Sequence, residues 1–343
     1  MYILSEKENL KIAIVNLLAW PSRIFWGLTN KSIKKYISNW KKILFITNRK
    51  WFSSSNICKD CGYIPKCKHC SIPIAKYKNK NEFIYMCPIC KRIYEHTWIC
   101  WKCWWTNIIE SWIWTYKLKE ILQKNYNISP FIIENTDVNS KNKILNIKNK
   151  IKNEQFIIST SILSQYNKNF IPDLVIFFNA DTWLSIPDFN IWEKHFLFLY
   201  EFIKKYPTSN FIIQTFNIEH YVYKYILQLD LNGFWKKELE YRKQFNYPPF
   251  SEIVVLKYKS EIEESLYRKI SKLESELKYL IEKENKKIEI YQTPPLIYKK
   301  FWKYNYNIIL KWKDLKPFFD QAVKILKIKE KWFQIDWLPS NLI

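Results

Sequence analysis

At 343 residues the chain has room for two or three domains, and 48% hydrophobic with 25% charged content is ordinary for a globular protein. No apolar run approaches a membrane span; the longest near the start, "IAIVNLLAW", is short, follows a charged segment and has no small-residue cleavage site behind it, so a cytoplasmic protein is expected. The formal net charge of +23 suggests a polyanionic partner, most simply nucleic acid, although a surplus of Lys, Asn, Ile, Tyr and Phe also follows from AT-rich codons.

In chain order, "KKILFITN" (41–48) reads as a buried strand. A cysteine-rich block follows. Beyond it the pattern alternates: "KLKEILQK" as a helix, then "FIIEN", "FIISTS" and "DLVIFFNAD" as strands, a helical stretch from about 190 to 205, and the strand "NFIIQT". Strands alternating with helical segments predict an α/β domain with a parallel sheet, which the cysteine block interrupts. From about 251 the pattern restarts. "EIVVLKYKS" is a strand, 261–284 a long charged amphipathic helix with a solvated face, and "KIEIYQT" and "YNIILKW" are strands. A helix near 315–328 and the strand "WFQIDW" complete a small separate α+β domain.

The eight cysteines, 58, 61, 67, 70, 87, 90, 100 and 103, all fall in C-x-x-C pairs. Without an export signal this is metal spacing rather than a disulfide framework, and no thioredoxin-like context favours redox pairs. Two thiolates three positions apart both reach one tetrahedral Zn²⁺, and two such knuckles close a four-cysteine site. Sixteen residues separate Cys70 from Cys87, the usual spacing within one site, so Cys67, Cys70, Cys87 and Cys90 form an inner zinc. Cys58, Cys61, Cys100 and Cys103 then hold an outer zinc around it. Sequential pairing would have to close across 62–66, which contains Pro65. Neither site has an open coordination position, so two structural Zn²⁺ ions are expected.

The segments "TNRKWFSSSNICKDCGYIPKCKHC", "ADTWLSIPDF", "FIIQTFNIEH" and "ELEYRKQFNYPPF", in this order around the eight cysteines, resemble the C-terminal half of primosomal protein N′, the PriA family of replication-restart DNA helicases. The resemblance covers nearly the whole chain. It implies a RecA-like helicase lobe two at 1–57 and 104–250, a zinc-binding insertion at 58–103, and a C-terminal α+β domain at 251–343 that binds branched DNA. It also implies forked or single-stranded DNA and primosome proteins as partners. Asn48, Arg49 and Lys50 match an Asn-Arg-Arg element of the family beside the motor lobe's strand.

The chain departs from that family where the chemistry should be. The phosphate cradle G-x-x-x-x-G-K-[ST] and the acidic residues for Mg²⁺ are missing. At the place of the family's Ala-Gly-Arg-Ala-Gly-Arg stretch the chain reads "YEFIKKYPTSN", without arginine, and "STSILSQYNKN" keeps only Thr160 of the upstream motif. ATP and Mg²⁺ therefore have no complete site, and no catalytic residue is assigned. Three readings follow: a zinc-stabilised DNA-binding protein of replication restart without its own ATPase, one half of a split ATP-dependent 3′-5′ helicase whose first lobe is a separate chain, or a zinc-ribbon structural adaptor.

Glycine is the compositional anomaly. Average usage near 7% would give roughly 24, and there are 3, beside 17 tryptophans. Trp51, Trp104, Trp112, Trp114 and Trp183 stand where the resembled family has glycine, at positions that often need positive φ or close backbone approach. Base-stacking platforms or core aromatics would explain some tryptophans but not this placement. The sequence therefore suggests UGA codons read as glycine in the organism and written as tryptophan in translation. Trp235 and Trp337 carry no such argument.

Overall fold

The computed structural model describes residues 2–7, 10–17, 25, 27–47, 56–58, 68, 74–79, 82–86, 92–94, 108–110, 115–133, 147, 149–160, 170–178, 180, 189–215, 217–293, 295, 298–328, 333–337 and 339. It divides into two compact units, one of Met1–Trp51, Trp112–Ile186 and Ile191–Trp235, the other of Phe52–Ser111, Pro187–Asn190 and Lys236–Ile343.

The first unit is built on strand β3 (Ile43–Thr47), whose five residues are all buried. The apolar run Ile43–Ile46 is what a parallel strand covered on both faces requires. Beside it lie β10 (Phe156–Ser159) and then β9 (Phe131–Ile133) on one side. On the other side lie β11 (Leu174–Phe178), β12 (Asn210–Thr215) and β2 (Leu10–Asn16). All five of these neighbour contacts are parallel, and β1 (Tyr2–Lys7) adds an antiparallel edge through a hairpin with β2.

Alternation along each strand sends side chains to two separate cores. Leu44, Ile46, Val175, Phe177, Phe211 and Ile213 face one core, closed by helix α3 (Ile191–Lys205) and helix α4 (Tyr221–Gln228). Ile43, Phe45, Leu174, Ile176 and Ile212 face the other, closed by α1 (Leu28–Ser38) and α2 (Thr115–Tyr126). In the first core Phe196 of α3 stacks on Phe234, ring centroids 3.8 Å apart and nearly coplanar. Phe234 belongs to α5 (Leu231–Gln244), whose start is capped by Asp230: its carboxylate accepts from the Gly233 backbone N–H at 2.8 Å.

The second unit carries a separate antiparallel sheet in the order β14-β16-β13-β17, from β13 (Glu252–Ser260), β14 (Glu289–Thr293), β16 (Lys303–Trp312) and β17 (Gln334–Trp337). A short β15 (Lys299–Lys300) pairs with the start of β16. Helix α6 (Glu263–Lys283) buries Leu266, Ile270, Leu273, Leu277 and Leu280, a four-three spacing that makes one apolar stripe, and α7 (Leu315–Ile325) buries Leu315, Phe318, Phe319 and Ala322. Both stripes meet Val254, Leu256, Ile308 and Leu310 of the sheet. The start of α7 is held by Glu252, whose carboxylate accepts from the Leu315 and Lys316 N–H groups at 2.9 Å each.

Each strand and helix anticipated outside the cysteine block has a counterpart here. The hairpin β1–β2 and the helices α1, α4 and α5 were not anticipated. Among the described residues no helix is long and apolar enough to cross a membrane.

Candidate zinc segment and nucleic-acid interface

Of the eight cysteines only Cys58 lies among the described residues, in strand β4 (Asn56–Cys58). Cys61, Cys67, Cys70, Cys87, Cys90, Cys100 and Cys103 lie outside them, as do Asn48, Arg49 and Lys50 and the tryptophans at 51, 104, 112, 114 and 183. Among the described residues no cluster of three His, Cys, Asp or Glu could hold a metal.

Two small sheets lie within the sequence range of the cysteine block. Strand β4 pairs antiparallel with β8 (Ile108–Glu110), Cys58 standing opposite Ile108, five positions after Cys103. Between these strands, β5 (Ala75–Asn79) and β6 (Glu82–Met86) form a hairpin that sets Ala75, five positions after Cys70, opposite Met86, the residue before Cys87. The strand β6 then pairs with β7 (Ile93–Tyr94), Met86 opposite Ile93. Lys68, inside the Cys67–Cys70 knuckle, donates its N–H to the Tyr94 hydroxyl at 3.1 Å, four positions past Cys90. In sequence, the β5–β7 pairings fall between the two strands of the β4–β8 pair.

In the first unit the parallel strands end together, at the edge where open α/β sheets take their ligands. Thr47 ends β3 buried, its hydroxyl without a hydrogen-bond partner among the described residues. Thr160, which follows β10, is buried as well, and the preceding Ser159 hydroxyl donates to the Thr160 carbonyl at 3.0 Å. The stretch 200–210 falls at the end of α3 and the turn into β12, where Phe202 and Ile203 are buried and Lys204 and Lys205 are exposed. A cation can stand there, but the fork of an arginine, which grips two phosphate oxygens at once, is lacking.

Several quoted segments turn out to be packing devices. Glu238 and Arg242 form a buried ion pair at 2.8 Å along α5, and Arg242 also donates to the Pro248 carbonyl at 3.2 Å. The same guanidinium lies 5.5 Å over the Phe189 ring, and Phe189 stacks on Tyr247 with centroids 5.5 Å apart. "ADTWLSIPDF" and "ELEYRKQFNYPPF" therefore meet in one cluster. In "FIIQTFNIEH", His220 caps α4 by accepting from the Val222 N–H, and Trp192 packs edge-on to its ring at 5.0 Å.

Cations and aromatic rings interleave on the second unit. Lys299 donates to the Tyr304 hydroxyl at 2.8 Å, with its ammonium 4.4 Å over that ring. Tyr298 donates to Glu263 at 2.5 Å and meets the Tyr267 hydroxyl at 3.0 Å, and burial together with these bonds raises its phenol well above the usual tyrosine range. Tyr291 is pushed up to about 12, first by its hydrogen bond to Glu289. Burial works to raise Glu289, but the bonds from Lys311 and Tyr291 outweigh it and hold the carboxyl below its usual value. Lys311, nearly buried, is committed to this pair at 2.8 Å and to the Phe245 carbonyl at 3.0 Å. Lys311 is thus internal scaffolding, whereas Lys303 and exposed rings such as Tyr279 and Tyr267 remain presented to solvent. A face of cations and phenol rings suits phosphates and unstacked bases.

No family model matches the chain. Curated relatives do. A protein of Borreliella burgdorferi is 28% identical over 99% of this chain and 52% of its own length, and one of Thermotoga maritima is 23% identical over 86% of this chain and 40% of its own. One of Bacillus subtilis is 26% identical over 64% of this chain and 28% of its own. All three carry the same name, replication restart protein PriA. The chain resembles the C-terminal half of PriA. It spans about half the length, or less, of the PriA proteins it matches, and the resemblance read from the quoted segments and the comparison by overall identity agree.

Proposed function

We propose that the chain is a PriA-like DNA-binding protein of replication restart, stabilised by two zinc ions, cytoplasmic, and without ATPase or helicase activity of its own. The observation that carries this reading is the resemblance to PriA over 99% of the chain. Support for DNA comes from the +23 charge and the cation-and-tyrosine face of the second unit. Such a face binds the phosphate backbone without reading sequence and stacks bases on its rings, which fits forked or single-stranded DNA.

Support for nested zincs comes from the two returns of the backbone. Strand β4, which holds Cys58, pairs with β8, which begins five positions after Cys103 in the sequence. The β5–β6 hairpin joins the sequence that follows Cys70 to the sequence that precedes Cys87, and Lys68 bonds Tyr94. Both returns are compatible with the nested pairing. The donor set, eight thiols and no open position, suits structural Zn²⁺.

A second reading keeps the motor: this chain is lobe two of an ATP-dependent helicase, with lobe one elsewhere. The parallel sheet, with Thr47 and Thr160 at its carboxyl edge, favours it. On either reading the purified chain alone hydrolyses no ATP, so the test adds a chain that carries the phosphate cradle. DNA retention without turnover in the mixture is the result expected of the first reading, and DNA-stimulated turnover that appears only in the mixture would sink it.

A further inference from the structure

The six described tryptophans fall into two groups. Trp192 packs edge-on to His220 and Tyr221, Trp235 against Phe234, and Trp337 perpendicular to Phe319 at 5.0 Å. Trp312 lies against the second unit's core. All four sit in regular helix or strand. Trp40 and Trp302 differ: both have left-handed backbone, φ 53 and 67, and both are exposed, 86% and 53%. Only a few per cent of non-glycine residues take φ > 0, so two of six tryptophans there is out of proportion.

The local geometry says what each position is for. At the end of α1 the Trp40 N–H bonds the Ile37 carbonyl at 3.1 Å and the Lys41 N–H bonds the Tyr36 carbonyl at 2.9 Å. These two bonds define a Schellman cap whose left-handed residue is usually glycine. The same pair of bonds closes α6 through Asn285 and Lys286, and α5 through Asn246 and Tyr247. Asparagine is the residue that best tolerates that backbone after glycine. Two bulky residues also take that place, Leu229 after α4, whose side chain packs against the core, and Lys327 after α7, whose side chain is exposed. The Trp40 indole stands in solvent.

Trp302 is the second residue of the two-residue turn between β15 and β16, where Lys300 pairs with Lys303. Phe301 and Trp302 both have positive φ, 49 and 67, a type I′ hairpin turn. Its second position is the strongest short-range glycine site in hairpins. The two cations over the indole, Arg92 at 5.0 Å and Lys299 at 5.6 Å, lie on an exposed ring and do not bury it.

We propose that Trp40 and Trp302 are glycines in the organism's own protein, encoded by UGA and read there as glycine. Trp192, Trp235, Trp312 and Trp337 are true tryptophans encoded by UGG. The inference does not rest on the DNA-binding reading, but it bears on it. Two of the most exposed indoles are then not stacking platforms, and base stacking falls to tyrosines such as Tyr267 and Tyr279.

Reading the gene at these six codons, with peptide mass spectrometry of the protein isolated from its own cells, tests it. UGA at 40 and 302 with glycine masses there, and UGG with tryptophan masses at the other four, is the expected result. UGG or tryptophan at 40 and 302 overturns it, and so does UGA read as glycine at the four packed positions. An independent arm uses recombinant protein. Trp40→Gly and Trp302→Gly should each leave the thermal midpoint equal or raise it by about 2 °C, whereas Trp192→Gly should lower it. A midpoint lowered in all three alike would overturn the distinction.

Discussion

The two units handle buried polarity in opposite ways. In the first, a buried titratable group stays neutral: His195 on α3 is 1% exposed, and neither ring nitrogen has a hydrogen-bond partner among the described residues. Burial first, and the nearby His220 second, push its pKa down to about 3. Tyr206, buried close by in sequence, is pushed up to about 12 by the same desolvation. In the second unit the buried groups are charged and matched, as in Glu238–Arg242 and Glu289–Lys311. The lesson is that acid should reach the first unit through one imidazole, while the second is sensitive to removal of one partner from a pair.

The largest expected effect breaks the second half of that contrast. Arg242→Met leaves Glu238 buried without its cation and should cost about 3–5 kcal/mol in urea unfolding. The double variant with Glu238→Gln should recover much of it, because the uncompensated charge is gone. A double variant as unstable as the single one would mean that the pair matters through packing instead.

The next effect belongs to the first unit and depends on pH. Unfolded, His195 takes a proton near 6.5; in the fold it resists protonation down to about 3. Its contribution is fully present above 6.5 and is lost as pH falls from there toward 3. Between neutral pH and pH 5 this amounts to about 2 kcal/mol. The urea midpoint should fall over that window in the wild type and hold more nearly level in His195→Leu. Parallel pH profiles would remove His195 from the account.

A smaller effect sharpens the comparison, since it concerns a partly buried carboxylate. Glu252→Ala removes the acceptor for two N–H groups at the start of α7 and should cost about 1 kcal/mol, read as a shift of the second unit's unfolding. No change would show that water replaces the cap without loss.

Much of the fold was legible because its strands are short, apolar and separated by helical periods. "NFIIQT" and "EIVVLKYKS" match β12 and β13 to the residue. The hairpin β1–β2 was hidden because "IAIVNLLAW" reads as one apolar run, and because β1 keeps Tyr2, Ile3 and Leu4 exposed on an edge. Parallel pairing of β2 with β12, some two hundred positions away, has no local signature. Helix α5 escaped notice because its partners are ionic, Glu238 with Arg242 at i,i+4, and leave little apolar periodicity. At the candidate sites the cysteine spacing was plain, whereas the division of labour among lysines was not. Lys311 and Lys303 look alike in sequence, and only their surroundings separate scaffolding from an exposed cation.

The central claim is that a basic, zinc-stabilised chain binds DNA through its phosphates. It is tested most directly by titrating a fluorescent forked DNA with the zinc-loaded chain at rising salt. The account expects log affinity to fall linearly with log salt, losing at least about tenfold between about 50 and 200 mM. Affinity that is absent at low salt, or that does not change across that range, would contradict it.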